Sequence, residues 1–268
     1  MMNTEQKYDS CAWNALLTAA VPSVMGILNV TPDSFHAASR TDAAGAAARG
    51  AQMVAEGAAV LDIGACSTRP GSLPPSEDEE LRRLLPAVEA VRAALPAVPL
   101  SIDTFRPRVA AECLRRFGSV LINDVSGTLW RQMPDGFPPF PYVLTCPDAH
   151  PAAFFEHELP LLRERGFDCV VLDPGFGFGK TLDENYALLA DLGALTRFGC
   201  PLLVGVSRKS MVTSVLQVTA GEALNGTTVL HTAALLGGAT LLRVHDVREA
   251  CQTVTLVQQM KKNKLIDN

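Results

Sequence analysis

GILNVTPDSF, residues 26–35, reads as a strand that ends in chemistry: the aliphatic run through Ile27 and Leu28 breaks at Asn29 and gives way to Thr, Pro, Asp and Ser. Aliphatic and β-branched residues suit a strand and Pro and Asp interrupt one, so the polar side chains gather at its end. VGVSRKS at 204–210 and LLRVHDV at 241–247 repeat the pattern. Working outward, apolar runs at 24–30, 59–63, 98–102, 119–122, 141–144, 169–172, 201–206 and 240–244 predict eight strands. Between them lie segments with helical spacing of apolar residues, among them AAGAAARGAQMVAEG (43–57), EDEELRRLLPAVEAVRAAL (77–95) and RPRVAAECLRRFG (106–118).

Eight strands alternating with helices over about 240 residues predict an α/β fold, a single-domain (β/α)8 TIM barrel. A doubly wound sheet is the competing architecture, but it needs a topological switch point and normally fewer strands. With 268 residues and 48% hydrophobic content, one domain over residues 1–268, with a core of about 22–262, is expected. The proline-rich MPDGFPPFP at 133–141 reads as a structured loop, because a boundary there would split the barrel. Residues 1 to about 20 and the tail KKNKLIDN are expected to fray.

Composition narrows the function classes. The seven cysteines are dispersed without a CxxC pair, which disfavours a disulfide framework or a zinc site. The absence of a signal-like opening and of any apolar run of membrane-spanning length predicts a cytoplasmic protein with no membrane partner. A net charge of −5 argues against a nucleic-acid partner, since duplex binding rests on neutralising many phosphates.

Set against the strands, the polar residues share one address. Asn29 closes strand one, Asp62 with Ser67, Thr68 and Arg69 follows strand two, and Asp103 closes strand three. Asn123 and Asp124 end strand four, Asp173 ends strand six, Ser207, Arg208 and Lys209 end strand seven, and Arg243 and His245 end strand eight. In a barrel these positions converge on the C-terminal rim, where active sites are built. Arg69, Arg243, His245 and the Asn29 amide suit a polyanion or its metal, while Asp103, Asn123, Asp173 and Lys209 suit a flat heterocycle with donors and acceptors on its edge. Any one such residue is often only a turn or helix cap, but a purely structural account of the whole set is strained.

GILNVTPDSF, AAVLDIG-A-CSTRPG, LSIDT, LINDVSG, LDPGFGFGK, LLVGVSRKS and LLRVHDV, in that order from Val24 to Val247, resemble the motifs of the dihydropteroate synthase family. The resemblance implies a transferase of folate biosynthesis: 6-hydroxymethyl-7,8-dihydropterin pyrophosphate condenses with p-aminobenzoate, releasing pyrophosphate in an SN1-like, Mg2+-dependent reaction. It implies Asn29 as ligand of the Mg2+, with Thr68, Arg69, Arg243 and His245 around the anion or the aminobenzoate carboxylate. It places Asp103, Asn123, Asp173 and Lys209 on the pterin, Asp62 on or just behind the ring, Phe178 along the aminobenzoate, and Ser207 and Arg208 near it. Asn29, Lys209, Arg243 and His245 are the residues it implies in catalysis, and a homodimer is its expected assembly. Two other outcomes stay open: a slow or inactive pterin-binding paralogue, and a methyltetrahydrofolate-dependent methyltransferase-like barrel.

This chain departs from the family pattern at His36, Ala37, Ala38 and Ser39, where a Ser-Asp-Gly-Gly type stretch is usual. It also departs at Cys66, where a glutamate is usual, and at Thr145 and Cys146, in place of Met-His. GFGFGKT at 175–181 imitates a phosphate-binding loop, but the required first glycine falls on Pro174, so its glycines are read as allowing close chain passage and Lys180 as solvated. His150, His157 and His231 lack metal-ligand spacing and read as structural, and Asp246 reads as the N-cap of the last helix.

Overall fold

The computed structural model describes residue 8 and residues 10–30, 43–66 and 74–263. The predicted residues Thr68, Arg69 and His36 to Ser39 lie outside the described residues. The strands are β1 (Ser23–Asn29), β2 (Val60–Gly64), β3 (Leu100–Asp103), β4 (Leu121–Asp124), β5 (Tyr142–Thr145), β6 (Val170–Asp173), β7 (Leu203–Val204) and β8 (Leu241–Val244). The helices are α1 (Cys11–Leu17), α2 (Ala43–Ala55), α3 (Glu77–Ala94), α4 (Pro107–Phe117), α5 (Pro151–Glu164), α6 (Leu182–Ala190), α7 (Ser210–Leu216), α8 (Leu224–Leu236) and α9 (Val247–Lys262).

All strand pairs are parallel, in the order β6-β5-β4-β3-β2-β1-β8-β7. A single bridge between Leu172 and Leu202 closes the barrel between β6 and β7. β7 is shorter than the 201–206 run predicts, and the local chemistry explains it. Pro201 has no N–H to give, so it takes part only through its carbonyl, which accepts from Leu172. The neighbouring Leu202 N–H turns instead to the Thr240 hydroxyl.

Side chains alternate across a strand, and here the alternation builds two layers inside the barrel. Met25, Val60, Leu121, Val143, Val171, Leu203 and Leu241 form a buried apolar layer. Two residues further along the corresponding strands come Ile27, Asp62, Asn123, Thr145, Asp173, Gly205 and Arg243. One step of the pleat therefore changes the interior from hydrocarbon to hydrogen-bonding groups. The out-facing residues pack against the helices in a separate, larger apolar cluster.

The expectation that residues 1 to about 20 fray is corrected for residues 10–20; residues 1–7 and 9 lie outside the described residues. Trp13 and Leu17 of α1 are buried with the lower apolar layer, and the Trp13 indole donates to the Ser119 carbonyl at 2.8 Å. Burying such side chains stabilises by roughly 1.5–3 kcal/mol each, enough to hold a two-turn helix that would not persist alone. The tail is also partly tied, since Lys261 donates to the Leu235 carbonyl. The 133–141 segment is ordered by burial of Met133, Phe137 and Phe140, with the Phe140 ring 5.1 Å from that of Phe167.

Candidate active site

The upper layer and the loops above it enclose a cleft at the C-terminal end of the barrel, lined by Asp103, Asn123, Val125, Thr145, Asp173, Phe178, Gly205, Lys209 and Arg243. Its members come from six different strand ends or the loops that follow them, so neither helix nor sheet alone creates it. The register sets the neighbours: Asp103 pairs with Asn123, and Thr145 with Asp173.

Arg243 organises one wall. Its Nε donates to Asp62 Oδ2 and an Nη donates to Asp103 Oδ2, each at 2.6 Å, so one guanidinium bridges the buried Asp62 and the half-buried Asp103. Asn123 adds a 3.0 Å bond to the same Asp62 oxygen, while Asp62 Oδ1 has no donor among the described residues. Burial pushes Asp103 up to about 7 despite the opposing charge of Arg243. For Arg243 itself burial works against the charge, and Asp62 and Asp103 outweigh it and raise its pKa above the ordinary value. The sequence groups Arg243 with the anion-binding residues; the structure places it against the carboxylates of the heterocycle half.

Asp173 and Lys209 form a second charged group in the same cleft. Asp173 Oδ1 accepts the Gly175 N–H at 2.8 Å. Burial raises the Asp173 pKa, and Lys209 is the first influence opposing it. Lys209 Nζ donates to the Phe176 carbonyl at 2.5 Å and lies 4.6 Å from the centroid of the Phe178 ring. Burial lowers Lys209 to about 8, with Asp173 acting in the other direction. Three carboxylates thus face two cations, so the wall has acceptor capacity left for a ligand edge rich in N–H groups.

The glycines after Asp173 serve close approach, as their spacing suggests, but to protein. Gly175 sits at φ +74°, and a Cβ there would run into the Cys146 carbonyl; Gly179, at φ +57°, faces the Pro147 carbonyl in the same way. Lys180 is corrected from solvated to half-buried. Its ammonium donates to the carbonyls of Gly175 and Phe178, at 3.0 and 3.1 Å, and braces the loop that carries Phe178.

The rim residues divide further. Ser207 Oγ lies 3.0 Å from His245 Nδ1 and also accepts the His245 N–H, so Ser207 orients the imidazole. Asn29 is half-buried at the end of β1, with no side-chain hydrogen bond to another described residue. Among the described residues, no three His, Cys, Asp or Glu side chains gather in a way that could hold a metal. A lone amide oxygen does fit a hard ion such as Mg2+ that keeps water and substrate phosphate in most of its shell.

Several strand-end residues are structural. Asp124 is fully buried on the helix side of the sheet, accepting from Ser126 N–H, Leu129 N–H and the Tyr142 hydroxyl. Asp246 occupies the N-cap position of α9 as expected, but its side chain does not cap the helix; it binds Arg208 instead. His231 is buried within α8. Glu80, which the sequence reading passed over as one acid in the EDEE run, is fully buried and holds Thr104 and Arg106. The signal was its position: Glu80 and Leu84 fall on the same face of α3.

Comparison with known proteins agrees with this architecture. The family model described as "Pterin binding enzyme" matches residues 25–138 and 148–245. A dihydropteroate synthase of Escherichia coli is 37% identical over 270 residues, covering 91% of this chain and 94% of that protein. A Yersinia pestis dihydropteroate synthase solved in a sulfonamide drug complex is 37% identical with a TM-score of 0.82, covering 91% of this chain and 95% of that one. A Xanthomonas albilineans dihydropteroate synthase solved in complex with 7,8-dihydropteroate is 34% identical with a TM-score of 0.82, covering 94% and 98%. The eight-stranded parallel barrel, the polar layer at its C-terminal end and these matches over most of the length place the chain in the pterin-binding enzyme family, among its dihydropteroate synthases.

Proposed function

We propose that this protein condenses 6-hydroxymethyl-7,8-dihydropterin pyrophosphate with p-aminobenzoate to give 7,8-dihydropteroate and pyrophosphate. The observation that carries this reading is the cleft lined by Asp173, Asn123, Asp103 and Lys209, whose acceptors and donors match the edge of an aminopyrimidinone ring. Asp173 accepts from adjacent N–H groups of the ring, Asn123 and Lys209 meet its polar edge, and Phe178 covers the aminobenzoate. His245 serves the pyrophosphate, with Ser207 setting the imidazole; the resemblance assigns Thr68 and Arg69, outside the described residues, to the same anion.

The methylene–oxygen bond breaks with its electron pair leaving on pyrophosphate, and the aniline nitrogen forms the new carbon–nitrogen bond and sheds a proton. Charge leaves the pterin as that bond opens, so carboxylates fixed beside the ring stabilise the developing cation more than the ground state. The aniline is nucleophilic as it stands, so the site needs no strong base. Asn29 would hold a Mg2+ ion that neutralises the leaving group. A reducing cytoplasm is the proposed setting, and exposed Val229 on α8 and Leu256 on α9 support a homodimer through that face.

A coupled pyrophosphate-release assay tests the reaction. Release is expected only when pterin pyrophosphate and p-aminobenzoate are both present. Binding of the pterin with no release under any combination would make the chain a binding paralogue.

The metal has its own test. Isothermal titration is expected to show tight pterin pyrophosphate binding with Mg2+, weaker binding in EDTA, and weaker binding by Asn29→Ala in the presence of the ion. Equal affinity with and without EDTA would remove Mg2+ from the account.

A further inference from the structure

Arg208 adopts φ 57°, in the left-handed region that a residue with a Cβ rarely enters. It stands between Ser207, which orients His245, and Lys209, whose ammonium enters the cleft. The Arg208 backbone N–H and each of its three guanidinium nitrogens make a contact within the protein. Its backbone N–H donates to the Thr227 hydroxyl at 3.0 Å, and Thr227 is buried in α8. Nε and one Nη form a two-pronged pair with the Asp246 carboxylate at 2.8 and 2.6 Å, and the other Nη donates to the Ala220 carbonyl at 3.2 Å. Asp246 takes the side-on Nε–Nη fork and Ala220 one N–H of the other Nη, so three of the five guanidinium N–H groups are held within the protein.

We propose that Arg208 is a positioning residue, and that Asp246 and Thr227 act with it: together they hold the 207–209 turn left-handed, which sets the Ser207 hydroxyl on His245 and the Lys209 ammonium in the cleft. The turn joins three parts of the fold, the end of β7, the first turn of α8 and the start of α9. The pair with Asp246 supplies the grip because planar, two-pronged geometry fixes orientation as well as distance. The role in turnover rests on the synthase reading; the geometric role does not.

The experiment is a double-mutant cycle of Arg208→Ala, Asp246→Ala and the double variant, with Arg208→Gly and Thr227→Val alongside. Pterin affinity by calorimetry, kcat, the KM for p-aminobenzoate and urea unfolding are all read. Each alanine variant is expected to weaken pterin binding and kcat by ~10-fold through a displaced Lys209, and the double variant to lose no more than either single one. Arg208→Gly should lose less than Arg208→Ala, roughly 3-fold, because glycine takes a positive φ without strain. The KM for p-aminobenzoate should shift by less than about 2-fold in all of them, since Asp246 and Ala220 hold the Arg208 guanidinium. Additive losses, or a raised p-aminobenzoate KM in Arg208→Ala but not in Asp246→Ala, would overturn the proposal and return Arg208 to the substrate. If an alanine variant does not fold, the order of Arg208→Gly against Thr227→Val in pterin affinity decides, because a positioning turn predicts loss in Thr227→Val as well. A wild-type protein that binds pterin but releases no pyrophosphate would refute the synthase reading and leave the binding cycle interpretable.

Discussion

Asp173→Asn is expected to abolish useful pterin binding while leaving the barrel folded. The substitution keeps the shape and replaces an acceptor-only carboxylate with a group that presents N–H toward N–H. Asp173 is buried, and its Oδ1 already serves the Gly175 N–H, so the asparagine can keep that bond only by turning its NH2 toward the ligand. Breaking one partner of a buried charge-assisted pair costs about 2–5 kcal/mol, at least ~30-fold in affinity. Lys209 loses its opposing carboxylate in the same step, which deepens the defect. Calorimetric titration with a pterin, beside an unfolding curve matching wild type, checks it. Normal affinity would show that the ring is anchored elsewhere.

Arg243→Met is expected to be the most destabilising single change in the cleft. It removes the cation shared by Asp62 and Asp103 and strands two carboxylates in a buried wall, for which about 3–5 kcal/mol is the usual cost. The pH dependence carries a sign. Asp103 is already raised to about 7 in the folded protein, above the ordinary aspartate value, so its charged form disfavours the fold as pH rises toward 7. Without Arg243 its pKa moves higher still. The variant then keeps a proton that wild type has released, and its deficit relative to wild type widens as pH rises above about 7. Urea unfolding of both proteins at pH 6 and pH 9 measures this, and a deficit independent of pH would mean that the two carboxylates are compensated by water.

Much of the barrel is legible in the sequence because each strand ends where its residue type changes. LSIDT, LINDVSG and LDPGFGFGK announce β3, β4 and β6 within a residue or two, since an apolar run facing two packed layers has few other uses. What the strand ends do not reveal is direction. Asn123 and Asp124 are neighbours in sequence, yet the pleat sends one into the cleft and the other into the helix layer. Arg208 and Lys180 look like rim cations in a string of letters; their partners, Asp246 and the loop carbonyls, become visible only when distant segments meet. The ordering of α1 was hidden for the same reason, because the foot of the barrel that Trp13 fills exists only once the strands have closed.

The plug formed by Trp13 and Leu17 also governs traffic. With the foot of the barrel stoppered by α1 and the apolar layer above it, the cleft is a blind vessel, and everything that enters must leave by the same mouth. A flat ring seated on the floor beside Asp173 and Asn123 has to arrive before any molecule that lies over it. The order of arrival is then written into the stacking of the vessel, and a late occupant becomes a stopper for the early one.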